Sequence, residues 1–258
     1  MPMPRKTVTT VAKIKSYGNY KKNQCKNNQY KKKYTRARGK LVLTGFPQSK
    51  LVKMRYVDSN LTLDPGAGLI TSSVYSANSL YDPDITATGH QPMGFDQWSK
   101  IYRRYTVLSS KITVRWNPVN GGSTTTNVQP CYFGIMLDEP GGLGTSSFSS
   151  INNLLESKHS LGYQTGGVVA SANNRKYTFP YCVKYFNAKK YFNLSNTKDD
   201  DLISGKMGDF GTGASPGSEP RYVVWACSID GNDPGSASLS IEIEYIAILR
   251  VPIPIDGS

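Results

Sequence analysis

Fifty-seven residues pass before this chain shows an acidic side chain. The first acid is Asp58, and Met1 to Lys40 holds no aspartate or glutamate at all. Histidine is scarce too. There are two, His90 and His159, each isolated in a loop-like stretch. No Gly-rich phosphate loop, H-E-x-x-H or G-x-S-x-G pattern occurs, so the usual nucleophilic, metal-hydrolytic and nucleotide-binding enzyme classes have no residues to stand on. We expect a protein that is not an enzyme and carries no cofactor and no catalytic residue. Cysteine is limited to Cys25, Cys131, Cys182 and Cys227. None forms a C-x-x-C pair and the spacings match no common zinc site. The last three fall in apolar strand-like runs and read as buried thiols, with disulfides the less favoured alternative. No apolar run approaches the ~20 residues of a membrane span, and Met-Pro-Met-Pro-Arg-Lys lacks the apolar core of a signal peptide. We therefore expect no membrane insertion, and the sequons at Asn60 and Asn193 read as chance matches.

What the first forty residues do contain is positive charge. Ten lysines (Lys6, Lys13, Lys15, Lys21, Lys22, Lys26, Lys31, Lys32, Lys33 and Lys40) and three arginines (Arg5, Arg36 and Arg38) give this arm a formal +13, equal to the net charge of all 258 residues. Thirty-one basic residues less these thirteen leave eighteen, matched by eighteen acids, so the body from Leu41 onward is neutral. A block of like charge with few aliphatic side chains cannot offset the entropy of ordering, and residues 1–40 are expected to be disordered alone. Its thirteen cations are the candidate nucleic-acid-binding residues, because lysine and arginine neutralise phosphates. Tyr17, Tyr20, Tyr30 and Tyr34 interleave them and supply rings on which unpaired bases stack. Lys31-Lys32-Lys33 with Arg36 and Arg38 also fits nuclear import, which is compatible with binding a polyanion. A merely solubilising tail is the plainer reading.

The body, residues 41–258, is long enough to bury a core. The whole chain has 17 tyrosines, 24 glycines and 15 prolines, a mixture that suits short strands and long loops. Val52, Met54 and Tyr56 alternate with Lys53 and Arg55, which predicts a half-buried strand. Leu69–Ala77 predicts a second. Phe95, Trp98, Tyr102 and Tyr105 recur at helical spacing and predict a short helix from about Asp96 to Arg103, its aromatics serving the core. Strands follow at Ser109–Trp116 and Cys131–Leu137, and a short helix at Ile151–Glu156 with Ser150 as cap. In the next strand Tyr177, Phe179, Tyr181, Val183 and Tyr185 share one face, with Pro180 marking an edge or bulge. Tyr222–Ile229 and Ser238–Leu249 close the body. An eighth strand is expected between Phe186 and Met207. Many strands with long connections and little helix predict an antiparallel sandwich of one domain.

At Gln91-Pro-Met-Gly-Phe-Asp-Gln-Trp98, with Tyr102, Tyr105 and the strand Ser110-Lys-Ile-Thr-Val114, the sequence resembles the capsid proteins of circular, Rep-encoding single-stranded DNA viruses. The resemblance extends to the basic arm and the long final strand. It implies an all-β fold: a single eight-stranded antiparallel jelly roll with a disordered basic N-terminal arm. It also implies assembly of sixty copies into an icosahedral shell and arms directed inward onto a single-stranded DNA genome. Location in the virion, and in the host nucleus during assembly with help from import receptors, follows from the same resemblance. Satellite RNA virus capsids share the arm and architecture, so DNA and RNA both stay open. In the implied strand order the first strand (about 50–59) and the third (105–117) flank the last (about 238–250). Lys53, Arg55, Lys111 and Arg115 would then either touch nucleic acid or pair with Glu242 and Glu244 across the strands.

Two other classes fit parts of the pattern. A cellular nucleic-acid-binding β-domain with a basic tail would share the arm and form no shell. A lectin-like jelly roll would bind sugar without its arm. Asp199-Asp200-Asp201 has the chemistry for Ca²⁺ but reads as a solvated loop, and no metal site is expected. The long loops 138–165 and 193–219 are the candidates for subunit contacts.

Overall fold

The computed structural model describes residues 45–86, 89–117, 130–140, 148, 150–157, 162–166, 180–195, 202–208 and 213–254. Among the described residues nine strands and three short helices occur in the order β1 (Ser49–Leu63), β2 (Ile70–Ser76), α1 (Phe95–Ser99), β3 (Tyr102–Trp116), β4 (Cys131–Asp138), α2 (Ile151–Glu156), β5 (Gln164–Gly166), β6 (Tyr181–Asn187), α3 (Ala188–Tyr191), β7 (Ser204–Lys206), β8 (Arg221–Ser228) and β9 (Ala237–Pro252). One sheet runs β1-β9-β3-β6, with β7 added to the start of β3, and the other runs β2-β8-β4-β5. Every pairing is antiparallel. Leaving β7 aside, the chain passes between the sheets in the order first, second, first, second, second, first, second, first. Two four-stranded sheets wound in this way are a jelly roll.

The core follows from period-two sequence. On β9, Leu239, Ile241, Ile243, Tyr245, Ala247 and Leu249 are buried, while the polar residues between them are not. Val52, Met54 and Tyr56 on β1 and Ile112, Val114 and Trp116 on β3 join them, facing Phe133, Tyr222, Val224 and Ala226 of the second sheet. Central strand β8 is covered on both sides. Its other face, Val223, Trp225 and Cys227, packs with Met136 beneath Leu154 of α2. Ser150 caps that helix by accepting a hydrogen bond from the Asn153 amide at 3.3 Å, which fits the expected cap and span. Cys131, Cys182 and Cys227 are buried free thiols, and burial raises them to about 11, 12 and 12 respectively. Cys25 lies outside the described residues.

Several expectations are corrected. The helix predicted over 96–103 is only α1, Phe95–Ser99, and Tyr102 and Tyr105 lie in β3. The aromatic spacing spans two elements: Phe95 contacts Tyr105 edge-on at 6.2 Å and Trp98 contacts Tyr102 at 6.1 Å. The chain leaves the helix because β3 pairs with β9 from Tyr102 onward, and that ladder outweighs a weak local helical preference. A bulge between Val107 and Ser109 breaks the alternation in β3, which hid the strand's first half in the sequence. The eighth jelly-roll strand is not between Phe186 and Met207. It is β5, Gln164–Gly166, which overlaps only the end of the loop expected over 138–165, while β7 in the expected interval is an extra ribbon beside β3. Finally, the structure decides which face of β6 is covered. Cys182 and Phe186 point into the core, whereas Tyr181 and Tyr185 point out. Pro180 precedes this edge strand, and its carbonyl accepts from the Trp116 amide at 3.1 Å. Tyr177 and Phe179 lie outside the described residues.

Candidate nucleic-acid interface

The thirteen arm cations, Arg5 through Lys40, lie outside the described residues, as do His159 and Asp199-Asp200-Asp201. The geometry that can be built residue by residue belongs to the outward face of the first sheet. Strand alternation sends Lys53 and Arg55 of β1, Glu242 and Glu244 of β9, and Lys111 and Arg115 of β3 to that face. The register then decides which of them meet. Arg55 lies directly across from Glu244, and Glu244 directly across from Lys111.

These six residues form an ionic ladder. Lys53 Nζ lies 2.6 Å from Glu244 Oε1, and Arg55 reaches both acids, at 3.1 Å to Glu242 and 3.5 Å to Glu244. Arg115 Nη1 donates to Glu242 Oε2 at 2.9 Å. The Glu244 carboxyl is held below its ordinary range, first by the hydrogen bond from Lys53. Burial opposes this, and the charge of Lys53, the hydrogen bond from Arg55 and the charge of Lys111 add to it. The cross-strand pairing considered from sequence is therefore present for Lys53, Arg55 and Arg115, while Lys111 acts on Glu244 through space. Pairing does not neutralise the stripe, because four cations face two carboxylates. The cationic side chains of Lys53, Arg55 and Arg115 remain more than half exposed, so each pair contributes only about 0.2–1 kcal/mol.

The edge of this face holds two residues that the sequence placed together on one side of their strand without saying which side is covered. Tyr185 lies directly across from Lys111, and Tyr181 directly across from Arg115. They are 68 % and 55 % exposed, while Tyr56, Tyr75, Tyr102, Tyr105, Tyr222 and Tyr245 are buried. Most of the buried hydroxyls have clear partners. Tyr75 donates to Asp58 at 2.9 Å, Tyr245 to the Ser76 carbonyl at 2.8 Å and Tyr102 to the Pro47 carbonyl at 3.0 Å. The clue to β6 was present: Cys182 and Phe186 are four apart and make an equally good inward face.

The Gln91–Trp98 motif serves packing. Gly94 takes a left-handed φ of 89° that a side chain would strain, and the Phe95 amide donates to the Pro92 carbonyl at 3.0 Å. This turn drives Phe95 into the core against Tyr81 and Tyr105. His90 ties the motif to β1. Its ring lies 4.8 Å from that of Tyr56, and its nitrogens face the Gln91 and Val57 carbonyls at 2.8 and 3.1 Å. Among the described residues no group of three or more His, Cys, Asp or Glu is arranged to hold a metal, and no helix is long and apolar enough to cross a membrane.

No family model matches this chain, and no curated protein matches it. Among solved structures it is similar to a chain of Desmodium yellow mottle tymovirus, at 14 % identity and a TM-score of 0.37 over 83 % of this chain and 94 % of that one. It is similar to mud crab tombus-like virus at 12 % identity and a TM-score of 0.42, over 81 % and 93 %. It is also similar to the decameric BFDV capsid protein, at 10 % identity and a TM-score of 0.32 over 78 % and 100 %. These likenesses are distant, and the architecture rests on the strand order itself.

Proposed function

We propose that this chain is a viral capsid protein that assembles with copies of itself into a small closed icosahedral shell and packages a single-stranded nucleic acid genome through its N-terminal arm. The observation that carries this reading is the partition of charge: all the excess positive charge sits on residues 1–40, joined to a neutral jelly roll. On the sixty-copy plan implied by the resemblance, the arms bring roughly 800 positive charges, enough to offset about as many phosphates. Such contacts position a nucleic acid without reading its sequence. The protein's role is structural, and its place is the virion. We further propose that the genome is single-stranded DNA and that Lys31-Lys32-Lys33 with Arg36 and Arg38 engages import receptors to bring the protein to the host nucleus for assembly.

Negative-stain electron microscopy of the full-length protein, with absorbance at 260 and 280 nm on the same sample, tests this reading. Uniform closed shells with a nucleic-acid-like ratio are expected, and the contents should be digested by DNase after the shell is opened. RNase-sensitive contents would replace DNA by RNA and keep the capsid. Small unassembled particles that bind nucleic acid under all salt conditions would favour a cellular binding protein. Deleting residues 1–40 is expected to abolish nucleic-acid retention, and truncated particles that still retain it would refute the role of the arm.

A further inference from the structure

The two outward tyrosines of β6 call for an explanation that the arm does not supply. Large rings on a sheet face normally gain by being covered, yet Tyr181 and Tyr185 stand in solvent. They are four residues apart on one strand, with Val183 between them, so their side chains project in the same direction about 13 Å apart and each can take its own base. Each has a cation as its direct cross-strand neighbour, Arg115 for Tyr181 and Lys111 for Tyr185. The carboxylates of the face, Glu242 and Glu244, lie one strand further in, on β9. The tyrosine edge is therefore the positive, aromatic side of the stripe.

The chemistry selects the occupant. An apolar partner would have to strip water from Lys111 and Arg115. The chain's own arm is polycationic and would be repelled by a stripe with two excess positive charges. A second copy stacked on the same face would bring two positive edges together. A ligand with a negative backbone and flat unsaturated faces satisfies rings and cations at once, and single-stranded nucleic acid has both. We infer that Tyr181 and Tyr185, flanked by Lys111 and Arg115, form a stacking platform for the unpaired bases of a single-stranded nucleic acid. This rests on the packaging function proposed above and adds a contact of a different kind. The arm holds phosphates, and the platform holds bases. Because stacking does not release counterions, the platform keeps its contribution at salt concentrations that weaken the arm.

The test uses full-length protein and a short oligothymidylate, with binding measured across a salt series. The Tyr181→Ala/Tyr185→Ala variant is expected to lose about tenfold or more in affinity at high salt, with the slope of log affinity against log salt unchanged. Both side chains are exposed, so the folded body is retained. The Tyr181→Phe/Tyr185→Phe variant keeps the rings and is expected to bind like the parent protein. Photo-crosslinking to an oligonucleotide carrying 5-iododeoxyuridine is expected to give adducts on Tyr181 or Tyr185. Unchanged high-salt affinity in the alanine variant overturns the platform while leaving the arm's role intact. So does altered shell assembly with unchanged affinity, which would assign this face to a contact between copies. If the parent protein binds no oligonucleotide even at low salt, the packaging function itself fails, and the platform fails with it.

Discussion

A methyl group on Gly166 would overlap the indole of Trp116, which crosses from the opposite sheet and closes over the short strand β5. Backbone and ring meet where any other residue would need Cβ. Gly166→Ala is expected to cost about 1–3 kcal/mol through overpacking, read as a lower denaturant midpoint at unchanged slope. Glu244 makes a prediction with a pH signature. Its carboxyl sits below the ordinary glutamate value of 4.5, mainly through the hydrogen bond from Lys53. A depressed acid stabilises the fold above that ordinary value and loses the contribution as pH falls through the lower folded value. Glu244→Gln should therefore lower the thermal midpoint at pH 7 and approach the parent protein as pH falls below the ordinary value of 4.5 and through the lower folded one. A gap that stays constant with pH would rule out the ionic origin. At this scale the sequence showed the right six charged residues but not their pairing. Whether Lys53 reaches Glu244 depends on the register between strands nearly two hundred residues apart.

At the scale of elements, α1 shows how local pattern misleads. Phe95, Trp98, Tyr102 and Tyr105 have helical spacing, but only the first two are helical, and the aromatic cluster forms because α1 folds back onto the start of β3. Trp98 is half-buried, packed against the core and Tyr102. Trp98→Ala should cost about 2 kcal/mol, less than the ~3–5 of a fully buried tryptophan. An unchanged melting temperature would remove the packing role. Strands with one solvent face and one core face, β1 and β9, were legible because alternation is a local property. Strand β5 was not, because three residues carry no period and its position is set by pairing with Cys131–Phe133 of β4. For strand β6 the alternation was legible but the covered side was not, because apolar rings occupy both faces.

For the whole molecule, the decisive quantity is the separation of charge from core. Among the described residues, the packed sheets, two buried clusters and hydrogen-bonded tyrosines form a self-sufficient body. Removing residues 1–40 is therefore expected to leave the body's cooperative unfolding intact while nucleic acid is lost, which calorimetry and the 260 to 280 nm ratio read on one sample. A collapse of the melting transition would mean that the arm contributes to the fold.

The sequence by itself determined the charge partition, the all-β class, the inward faces of β1 and β9 and the buried thiols. Each is a matter of composition or of period-two pattern within one segment. Only the tertiary structure decided that Glu242 and Glu244 take three of the four sheet cations as ion-pair partners, that Tyr102 and Tyr105 belong to a strand, and that Tyr181 and Tyr185 face outward. Those outcomes depend on which strand lies alongside and in what register, and neither is written within any one stretch of the chain.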